Sequence, residues 1–387
     1  MKRSVMKFGG SSLASIEKIN HVAGLVIQHA INHQVVVVVS AMMGETDRLV
    51  GLGQAVFDHD EPNREYDQLI SNGENVTAAL VALAIQKRGH QAISFTGWQA
   101  GIQTTSEPQN AQIIACDTQC IQQAFDEGKI PIVTGFQGVA NGTVTTLSRG
   151  GSDLTAIALA HSLKAELCWI YTDVKGIYPV DPRIMPEAAV LKQLDFHTLS
   201  KIAARGTKVV QSQAADYAMK YQQPIRVCHS ERPDLGTLVG TEDVAHPPII
   251  SHCSDMTLLQ CNKESLPSTF DHLETVGLFQ SAHMGRCHAF KASAKTLSQM
   301  IRKTQIQEQV MVIDGHWSLI TITYHKQFPQ KSFLDALLKK SINSYSSAGH
   351  LVLSFIVPKS RVVSHINQIY NIISRFDEEM AASHCKP

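Results

Sequence analysis

QVVVVVS (Gln34–Ser40) decides the fold, because five consecutive valines are typical of a strand that is buried on both faces of a sheet. It follows SLASIEKINHVAGLVIQHAI (12–31), in which apolar residues recur at helical spacing, and the strand-like SVMKFG (Ser4–Gly9). Strand, helix and strand in this order predict two parallel strands joined by a crossover helix. The chain therefore begins as an α/β fold.

The same alternation continues along the chain as far as residue 240. Apolar patterning predicts helices around 75–87, 117–127 and 153–163, and strands at 91–95, 130–134 and 166–171. Continuous apolar strands belong in a sheet that helices cover on both faces. We therefore expect residues 1–240 to form an α/β sandwich with a mainly parallel sheet.

The pattern changes around a linker that Pro247 and Pro248 mark. Beyond it the predicted elements are shorter, and strand, helix, strand, strand, helix, strand occurs about twice, which is the split βαβ arrangement. We expect two small α+β units, over residues 249–313 and 314–387.

The composition is that of an ordinary globular protein. Among 387 residues, 34 are Lys or Arg and 34 are Asp or Glu, so no basic excess indicates a nucleic-acid binder. No apolar run approaches the roughly 20 residues that cross a bilayer, and no signal-peptide core follows the first residues. Eight cysteines without a CxxC pair and 18 histidines without metal-binding spacing predict reduced thiols and no protein-bound metal. We expect a cytoplasmic protein that binds neither membranes nor nucleic acid.

KFGGSS (Lys7–Ser12) joins the first predicted strand to the first predicted helix. Gly9 and Gly10 allow the backbone to approach a phosphate, and N–H groups at a helix start near Ser11 or Ser12 favour anionic oxygens. Lys7 is placed to reach the same phosphates. A tight turn with a capping serine explains the stretch equally well, because a Gly-Gly pair alone is a weak signal.

Two further glycine-bearing stretches lie beside predicted strands and helices. SAMMGETDRL (Ser40–Leu49) follows the valine run, and its Gly44 and Thr46 supply a turn and a hydroxyl. SNGE (Ser71–Glu74) places a glutamate at a helix start, where the helix dipole favours it. A helix cap at Thr46 or Asp47 and the dipole interaction of Glu74 remain purely structural explanations.

TTLSRGGSDLTA (Thr145–Ala156) is the most specific of these stretches. An arginine such as Arg149 can hold a carboxylate bidentately, and the two glycines after it expose backbone donors. Helix capping explains Ser152 and Asp153, but neither Arg149 nor the glycines. The stretch therefore favours a functional site.

Two common nucleotide-binding motifs do not occur in the sequence. It contains no GxxxxGK[ST], and no GxGxxG opens a helix after a strand. A P-loop ATPase and a dinucleotide enzyme are therefore disfavoured.

Taken in order, the glycine-bearing stretches resemble the aspartokinase branch of the amino-acid kinase family. The matching stretches are KFGGSS, VVVSAMMGETDRL, SNGE, FTGWQAGI, PIVTGFQG, TTLSRGGSDLTA, YTDVKGIYPVDPR and GTKVV, followed by IRVCHSERPDLGTLV. The resemblance implies a three-layer sandwich of amino-acid-kinase type. It also implies transfer of the ATP γ-phosphoryl group to the β-carboxylate of L-aspartate, the first step towards lysine, threonine and methionine. Another acidic substrate, or a catalytically weak amino-acid sensor, stays open.

The resemblance further implies catalytic and nucleotide-binding residues. Lys7 and Lys208 are expected to neutralise charge on the transferred phosphoryl group, and Asp153 to orient both lysines. The implied nucleotide-binding residues are Lys7, Gly9, Gly10, Ser12, Thr172, Asp173, Tyr178, Arg183 and Lys208. Mg²⁺ is expected to enter with ATP.

For aspartate, the resemblance implies that Arg149 binds the α-carboxylate and Glu74 the α-ammonium group. Ser40, Thr46 and Ser152 complete the expected pocket. No general base is needed, because the attacking carboxylate is already ionised, so positioning and charge neutralisation should dominate.

Several positions depart from the family pattern. Ser148 stands where a glycine is usual, and Met43 and Glu45 replace smaller residues, which predicts altered affinity without loss of a reactive group.

The C-terminal units resemble tandem ACT regulatory domains, in which a DxPG-type loop receives lysine or threonine. CNKESLPSTF (261–270) and YHKQFPQKSF (324–333) keep the proline but lack the glycine. We therefore expect a weak response, or none, to lysine and threonine. The resemblance also implies a homodimer, or a higher homo-oligomer, joined through these units.

Overall fold

The computed structural model describes residues 1–57, 63–148, 150–207, 209–240, 242, 244–261, 275–281, 285–290, 297, 301, 310–324, 343–347 and 350–384. The chain divides into two compact units. The first consists of Met1–Ile177, Val190–Ser200 and Lys208–Val244, and the second of Tyr178–Ala189, Lys201–Thr207 and Ala245–Pro387.

The elements up to residue 240 include the strands and helices that the sequence predicts, with further elements between them. In chain order they are β1 (Lys2–Phe8), α1 (Ile16–Ala30), β2 (His33–Val39), α2 (Glu45–Val56), α3 (Arg64–Ile70), α4 (Asn72–Gln86), β3 (Ala92–Phe95), β4 (Ile102–Thr104), β5 (Ile113–Cys116), α5 (Gln119–Asp126), β6 (Ile130–Thr134), β7 (Gln137–Ala140), β8 (Thr143–Thr146), α6 (Gly151–Ser162), β9 (Leu167–Thr172), β10 (Gln193–Asp195), α7 (Phe196–Ala204), α8 (Ser212–Tyr221), β11 (Ile225–His229) and β12 (Arg232–Gly240).

An eight-stranded sheet forms the centre of the first unit, in the order β10-β12-β11-β9-β1-β2-β6-β3. Neighbouring strands pair in parallel, except for the antiparallel pair β11 and β12. β1 lies in the middle, and Lys7 faces Val38 on one side and Ile170 on the other in the register. The predicted mainly parallel sheet is confirmed.

Helices cover both faces of this sheet. On one face, Phe8 and the alternate valines Val35, Val37 and Val39 pack in one buried core with α1 and α4. On the other face, the almost wholly buried α6 packs against β1, β2 and β9, and α8 packs against α6. The first unit is therefore the three-layer sandwich that the sequence predicts.

A second, four-stranded sheet in this unit, with the order β5-β4-β7-β8, was not predicted. Its strands are only three or four residues long, and several of their side chains are half-buried or exposed. Strands this short contain too few positions for hydrophobic patterning to identify them.

The second unit is built on a six-stranded antiparallel sheet, in the order β14-β15-β13-β16-β18-β17. Its elements are β13 (Ile249–Cys261), β14 (Thr275–Ser281), β15 (Gly285–Phe290), β16 (Val310–Thr323), β17 (Asn343–Ser347), β18 (His350–Pro358) and α9 (Val362–His384). Ile320, Leu353 and Phe355 of the sheet pack against Ile366 and Ile369 of α9.

Several sequence predictions concern this unit. The boundary expected between residues 313 and 314 falls within β16, so both parts contribute to one continuous sheet; the division into two small units stays a prediction. The turns at Leu266–Pro267 and Phe328–Pro329 lie outside the described residues. Within the described ranges, no helix has both the length and the apolar composition needed to cross a bilayer.

Candidate active site

The predicted site residues that the structure describes in the first unit gather where the parallel strands end. β1, β2, β6 and β9 run in the same direction, so their carboxyl ends share one edge of the sheet. Open parallel sheets bind ligands outside this edge. The segments of the first unit that carry the predicted site residues leave the sheet here or begin a helix beside it.

Lys7 and Asp153 form a buried ion pair at this edge. Lys7 Nζ lies 2.5 Å from Asp153 Oδ1, and the two side chains are only 11% and 7% exposed. Lys7 points to the α6 face because Met6 and Phe8, its neighbours along the strand, face the core on the other side. Asp153 lies in the first turn of α6, where the helix dipole favours a carboxylate. The pair thus holds a positive charge in a fixed, largely desolvated position.

The Gly9–Gly10 turn passes beside this ammonium group. A β-carbon at Gly9 would lie 3.5 Å from Lys7 Nζ, and one at Gly10 would lie 2.9 Å from the carbonyl oxygen of Ala41. The Gly9 N–H donates to the carbonyl of Tyr171, at 3.1 Å, which ties the turn to β9. Only glycine at position 10 allows the segment after β2 to approach so closely.

The predicted helix start near Ser11 or Ser12 is wrong. A 3-10 turn covers Gly10–Leu13, and α1 begins at Ile16, where the Ser15 hydroxyl accepts a hydrogen bond from the Lys18 N–H at 3.3 Å. Ser15 is the N-cap because its oxygen satisfies a free amide of the first helical turn. Ser12 is buried within the 3-10 turn.

Glu74 is buried in the first turn of α4 and is only 3% exposed. Its Oε1 accepts a hydrogen bond from the Ala41 N–H at 3.0 Å, whereas Oε2 has no hydrogen-bond partner among the described residues. Burial raises the pKa of this carboxyl to about 7, although the Ala41 hydrogen bond acts in the opposite direction. A buried carboxylate with one unused oxygen suits a cationic ligand group.

Ser40 and Thr46 lie on the segment that follows β2. The Ser40 N–H donates to the carbonyl of Phe8 at 3.1 Å, so this segment leaves the sheet beside the glycine turn. Helix α2 begins at Glu45, and its N-cap is Gly44, with a φ of 81°, instead of the Thr46 considered from the sequence. Thr46 instead occupies the first turn of the helix, half-buried.

Arg149 and Lys208 lie outside the described residues, but their neighbours are well defined. The Ser148 hydroxyl donates to Gln213 Oε1 at 2.9 Å, and Gly150 has a φ of 79°. A β-carbon at Gly150 would overlap Gln211, and one at Gly135 would lie 2.6 Å from the buried Ser152. Close packing therefore explains why glycine stands immediately before α6.

The predicted nucleotide-side residues are divided between the two units. Thr172 ends β9, and its hydroxyl donates to Asp173 Oδ1 at 3.0 Å, within the first unit. Tyr178 and Arg183 belong to the second unit, where Arg183 is bound to Asp181 at 2.7 Å. Within the first unit, Thr172 and Asp173 therefore share an edge with Lys7, whereas the roles of Tyr178 and Arg183 stay predictions.

Sequence reasoning missed two residues of this edge. The Thr134 hydroxyl, at the end of β6, is buried and has no hydrogen-bond partner among the described residues. Phe136, two residues later, has a φ of 68°, which is unusual for an aromatic residue and indicates local strain. The stretch PIVTGFQG contains a signal for the first of them, since a hydroxyl directly follows a buried strand.

The chain belongs to the amino acid kinase family, whose model matches residues 2–229. Its similar relatives are aspartokinases. An aspartate kinase of Pseudomonas putida is 46% identical over 251 residues, which are 64% of this chain and 61% of that enzyme. An aspartokinase of Bacillus sp. strain MGA3 is 37% identical over 327 residues, 82% of this chain and 79% of the relative. The match thus spans about three fifths of the Pseudomonas enzyme.

A solved structure shows the same fold. The crystal structure of E. coli aspartokinase III in complex with aspartate and ADP matches with a TM-score of 0.80 at 22% identity, covering 96% of this chain and 100% of that chain.

Proposed function

We propose that the chain is an aspartate kinase, which transfers the γ-phosphoryl group of ATP to the β-carboxylate of L-aspartate and gives 4-phospho-L-aspartate. The observation that carries the proposal is the buried Lys7–Asp153 ion pair beside the Gly9–Gly10 turn, at the carboxyl edge of the sheet. The aspartokinases among its relatives support the substrate, and aspartokinase III was solved with aspartate and ADP.

In this proposal Lys7 stabilises the charge that moves between ATP and the acceptor. Its ammonium group is held in place before the reaction, so little reorganisation is needed as charge develops. Lys208 would act from a second side, and Asp153 would orient the lysines. The acceptor carboxylate needs no deprotonation, which leaves positioning and electrostatics as the main contributions of the protein.

The nucleotide would bind along the glycine turn. Gly9, Gly10 and Ser12 would approach its phosphates, with Thr172 and Asp173 on the neighbouring strand end and Tyr178 and Arg183 as further contacts. Mg²⁺ would enter bound to the phosphates and neutralise part of their charge. Among the described residues, no group of three His, Cys, Asp or Glu side chains is placed to hold a metal ion.

Aspartate would bind between α4 and the start of α6. Glu74 would accept the α-ammonium group with its free Oε2, and Arg149 would bind the α-carboxylate. Ser40, Thr46 and Ser152 would contribute hydroxyl groups around the substrate. The β-carboxylate would then face Lys7.

The direct test is a panel of acidic acceptors with Mg-ATP, in which hydroxylamine traps any acyl phosphate as a coloured hydroxamate. We expect the largest kcat/KM on L-aspartate. Faster turnover of L-glutamate or N-acetyl-L-glutamate would reject the substrate, and binding of aspartate without turnover of any acceptor would indicate an amino-acid sensor.

Arg149→Ala should raise the aspartate KM far more than the ATP KM. A bidentate arginine–carboxylate contact is worth roughly 1.5–3 kcal/mol, which corresponds to an increase of about 10- to 100-fold. Arg149→Lys keeps the charge but not the fork of donors, so it should restore only part of the affinity. An unchanged aspartate KM in Arg149→Ala would show that the substrate pocket is elsewhere.

We also propose a cytoplasmic enzyme of the lysine, threonine and methionine pathway that assembles as a homodimer, or a higher oligomer, through its C-terminal sheet. Open sheet edges tend to pair, and twofold dimers are the commonest oligomers. Sedimentation at micromolar concentration tests this, and a monomer would contradict it.

A further inference from the structure

Asp67 of α3 is a buried carboxylate that the proposed chemistry does not use. It is 0% exposed, although its helix begins at the surface. Its Oδ2 accepts a hydrogen bond from the Thr146 N–H at 2.8 Å, and its Oδ1 accepts one from the Thr146 hydroxyl at 2.7 Å. The Gln109 N–H lies 3.1 and 3.3 Å from the two oxygens. The Asp67 carboxylate is the acceptor in each of these hydrogen bonds.

The two segments that these hydrogen bonds join both lead to the aspartate pocket. Thr146 is the last residue of β8, immediately before the segment that carries Ser148 and the Gly150–Gly151 pair. On the other side, α3 passes through Ser71 directly into α4, whose first turn contains Glu74. Asp67 therefore fixes the helix that leads to Glu74 against β8, which ends at Thr146.

Gln137 makes a second link between the same two segments. Its Nε2 donates to the carbonyl of Ser71 at 2.8 Å and to Asn75 Oδ1 at 3.2 Å. Gln137 is directly opposite Thr146 in the antiparallel pair of β7 and β8. One cross-strand pair thus holds α3 through Asp67 and the start of α4 through Ser71.

We propose that Asp67 is a positioning residue for the amino-acid substrate, which, with Gln137, sets the separation between Glu74 and the segment that leads from β8 to α6. The inference rests on the proposed function, since it concerns the two residues expected to hold the ends of the α-amino acid. A substrate held at both its ammonium and carboxylate groups is sensitive to this separation, because small displacements weaken both contacts together.

A carboxylate suits this position better than a neutral side chain. Burial raises the pKa of Asp67 because it disfavours the charged form of the carboxyl. The hydrogen bonds from Thr146 and Gln109 act in the opposite direction and favour the charged form. All three donors meet an acceptor-only group, whereas an asparagine would turn an NH₂ group towards one of them. An apolar core residue would fill the volume but could not bind the strand end.

The test compares Asp67→Asn with a matched control, Asp195→Asn. Asp195 is also buried and holds a threonine in the same way, through the Thr198 N–H at 2.9 Å and the Thr198 hydroxyl at 2.7 Å, but it ends β10 and holds the first turn of α7. Both variants should lose thermal stability. Only Asp67→Asn should raise the aspartate KM, by about 10-fold or more, with the ATP KM within about twofold of the wild-type value.

Thr146→Val provides a second variant in case Asp67→Asn does not fold, because it removes one hydroxyl and keeps every backbone hydrogen bond. It should also raise the aspartate KM. In the double variant with Asp67→Asn, the two effects on this KM should not add. Calorimetric titration with aspartate should show the same weakening without turnover.

Failure of the proposed function and failure of the inference about Asp67 give different results. If wild-type protein does not phosphorylate aspartate, the proposed function is wrong. If the wild type is active but Asp67→Asn and Thr146→Val leave the aspartate KM unchanged, or change the two KM values equally, Asp67 has a structural role only and the inference is overturned.

Discussion

Replacing Lys7 by methionine should lower kcat by about 100- to 1,000-fold, the usual effect of removing one preorganised charge from a transition state. Methionine has a similar length but no charge, so the packing around position 7 is largely kept. The aspartate KM should change little, because the lost interaction forms mainly in the transition state. Asp153→Asn should have a similar effect on kcat, since Lys7 would lose the group that fixes it.

Stability measurements separate catalysis from folding in this experiment. Each single variant leaves one buried charge unpaired, which destabilises the fold, whereas the double variant Lys7→Met with Asp153→Asn removes both charges. The double variant should therefore be more stable than either single variant and no more active. Lys2→Met breaks the exposed pair with Glu166 and should change neither property, as expected for a surface ion pair. Recovery of activity in the double variant would contradict the role of Lys7.

Replacing Glu74 by glutamine should have the second large effect, on aspartate binding. Glutamine can still accept the Ala41 hydrogen bond but offers no negative charge to an ammonium group. Loss of a charged hydrogen bond in a buried site costs roughly 1.5–3 kcal/mol, so the aspartate KM should rise about 10- to 100-fold with the ATP KM unchanged. Equal changes in both KM values would show that Glu74 does not contact aspartate.

The pH dependence of binding provides an independent test of Glu74. Because burial raises the pKa of its carboxyl to about 7, the free protein holds a protonated Glu74 below that value. Binding of the substrate ammonium requires the carboxylate, so the aspartate KM should rise by about tenfold for each pH unit below 7. In Glu74→Gln this dependence should disappear.

The stability of the free protein should change with pH in the opposite sense. The pKa of Glu74 is higher in the folded state than the ordinary value of 4.5, so its stabilising contribution is complete below that value and is lost as the pH rises through about 7. Glu74→Gln avoids this loss and should melt at a higher temperature than the wild type at about pH 8. The ionised Glu74 carboxylate would then lower the stability of the free protein while it supplies the charge that binds the substrate.

Much of the central sheet was predictable because its signals are local. Five valines in a row predict a strand buried on both faces, and β2 is such a strand between β1 and β6. Lys7 lies near the end of β1, and Gly9 and Gly10 follow it, so patterning that detects the strand also places these three residues at its end. Residues at strand ends and helix starts can be predicted from the sequence when the strands and helices themselves can be predicted.

The rest of the site depends on contacts between distant segments. Thr146 binds Asp67, which is 79 residues earlier, and nothing in REYDQLI distinguishes this aspartate from a solvated one. The short strands β7 and β8 carry no apolar run, so their hairpin was missed together with the Gln137–Thr146 pair. The helix start near Ser11 or Ser12 was wrong because three serines close together could each serve as a cap, and Ser15 is the one whose hydroxyl caps α1.

The central claim is that aspartate receives the phosphoryl group on its side-chain carboxylate, and the most direct measurement identifies that carboxylate. The protein is incubated with Mg-ATP and labelled L-aspartate, borohydride then reduces any acyl phosphate to an alcohol, and the products are separated. We expect labelled homoserine, which forms only from the β-acyl phosphate. Labelled 3-amino-4-hydroxybutanoate, or no reduced aspartate while another acid in the same assay is reduced, would contradict the claim.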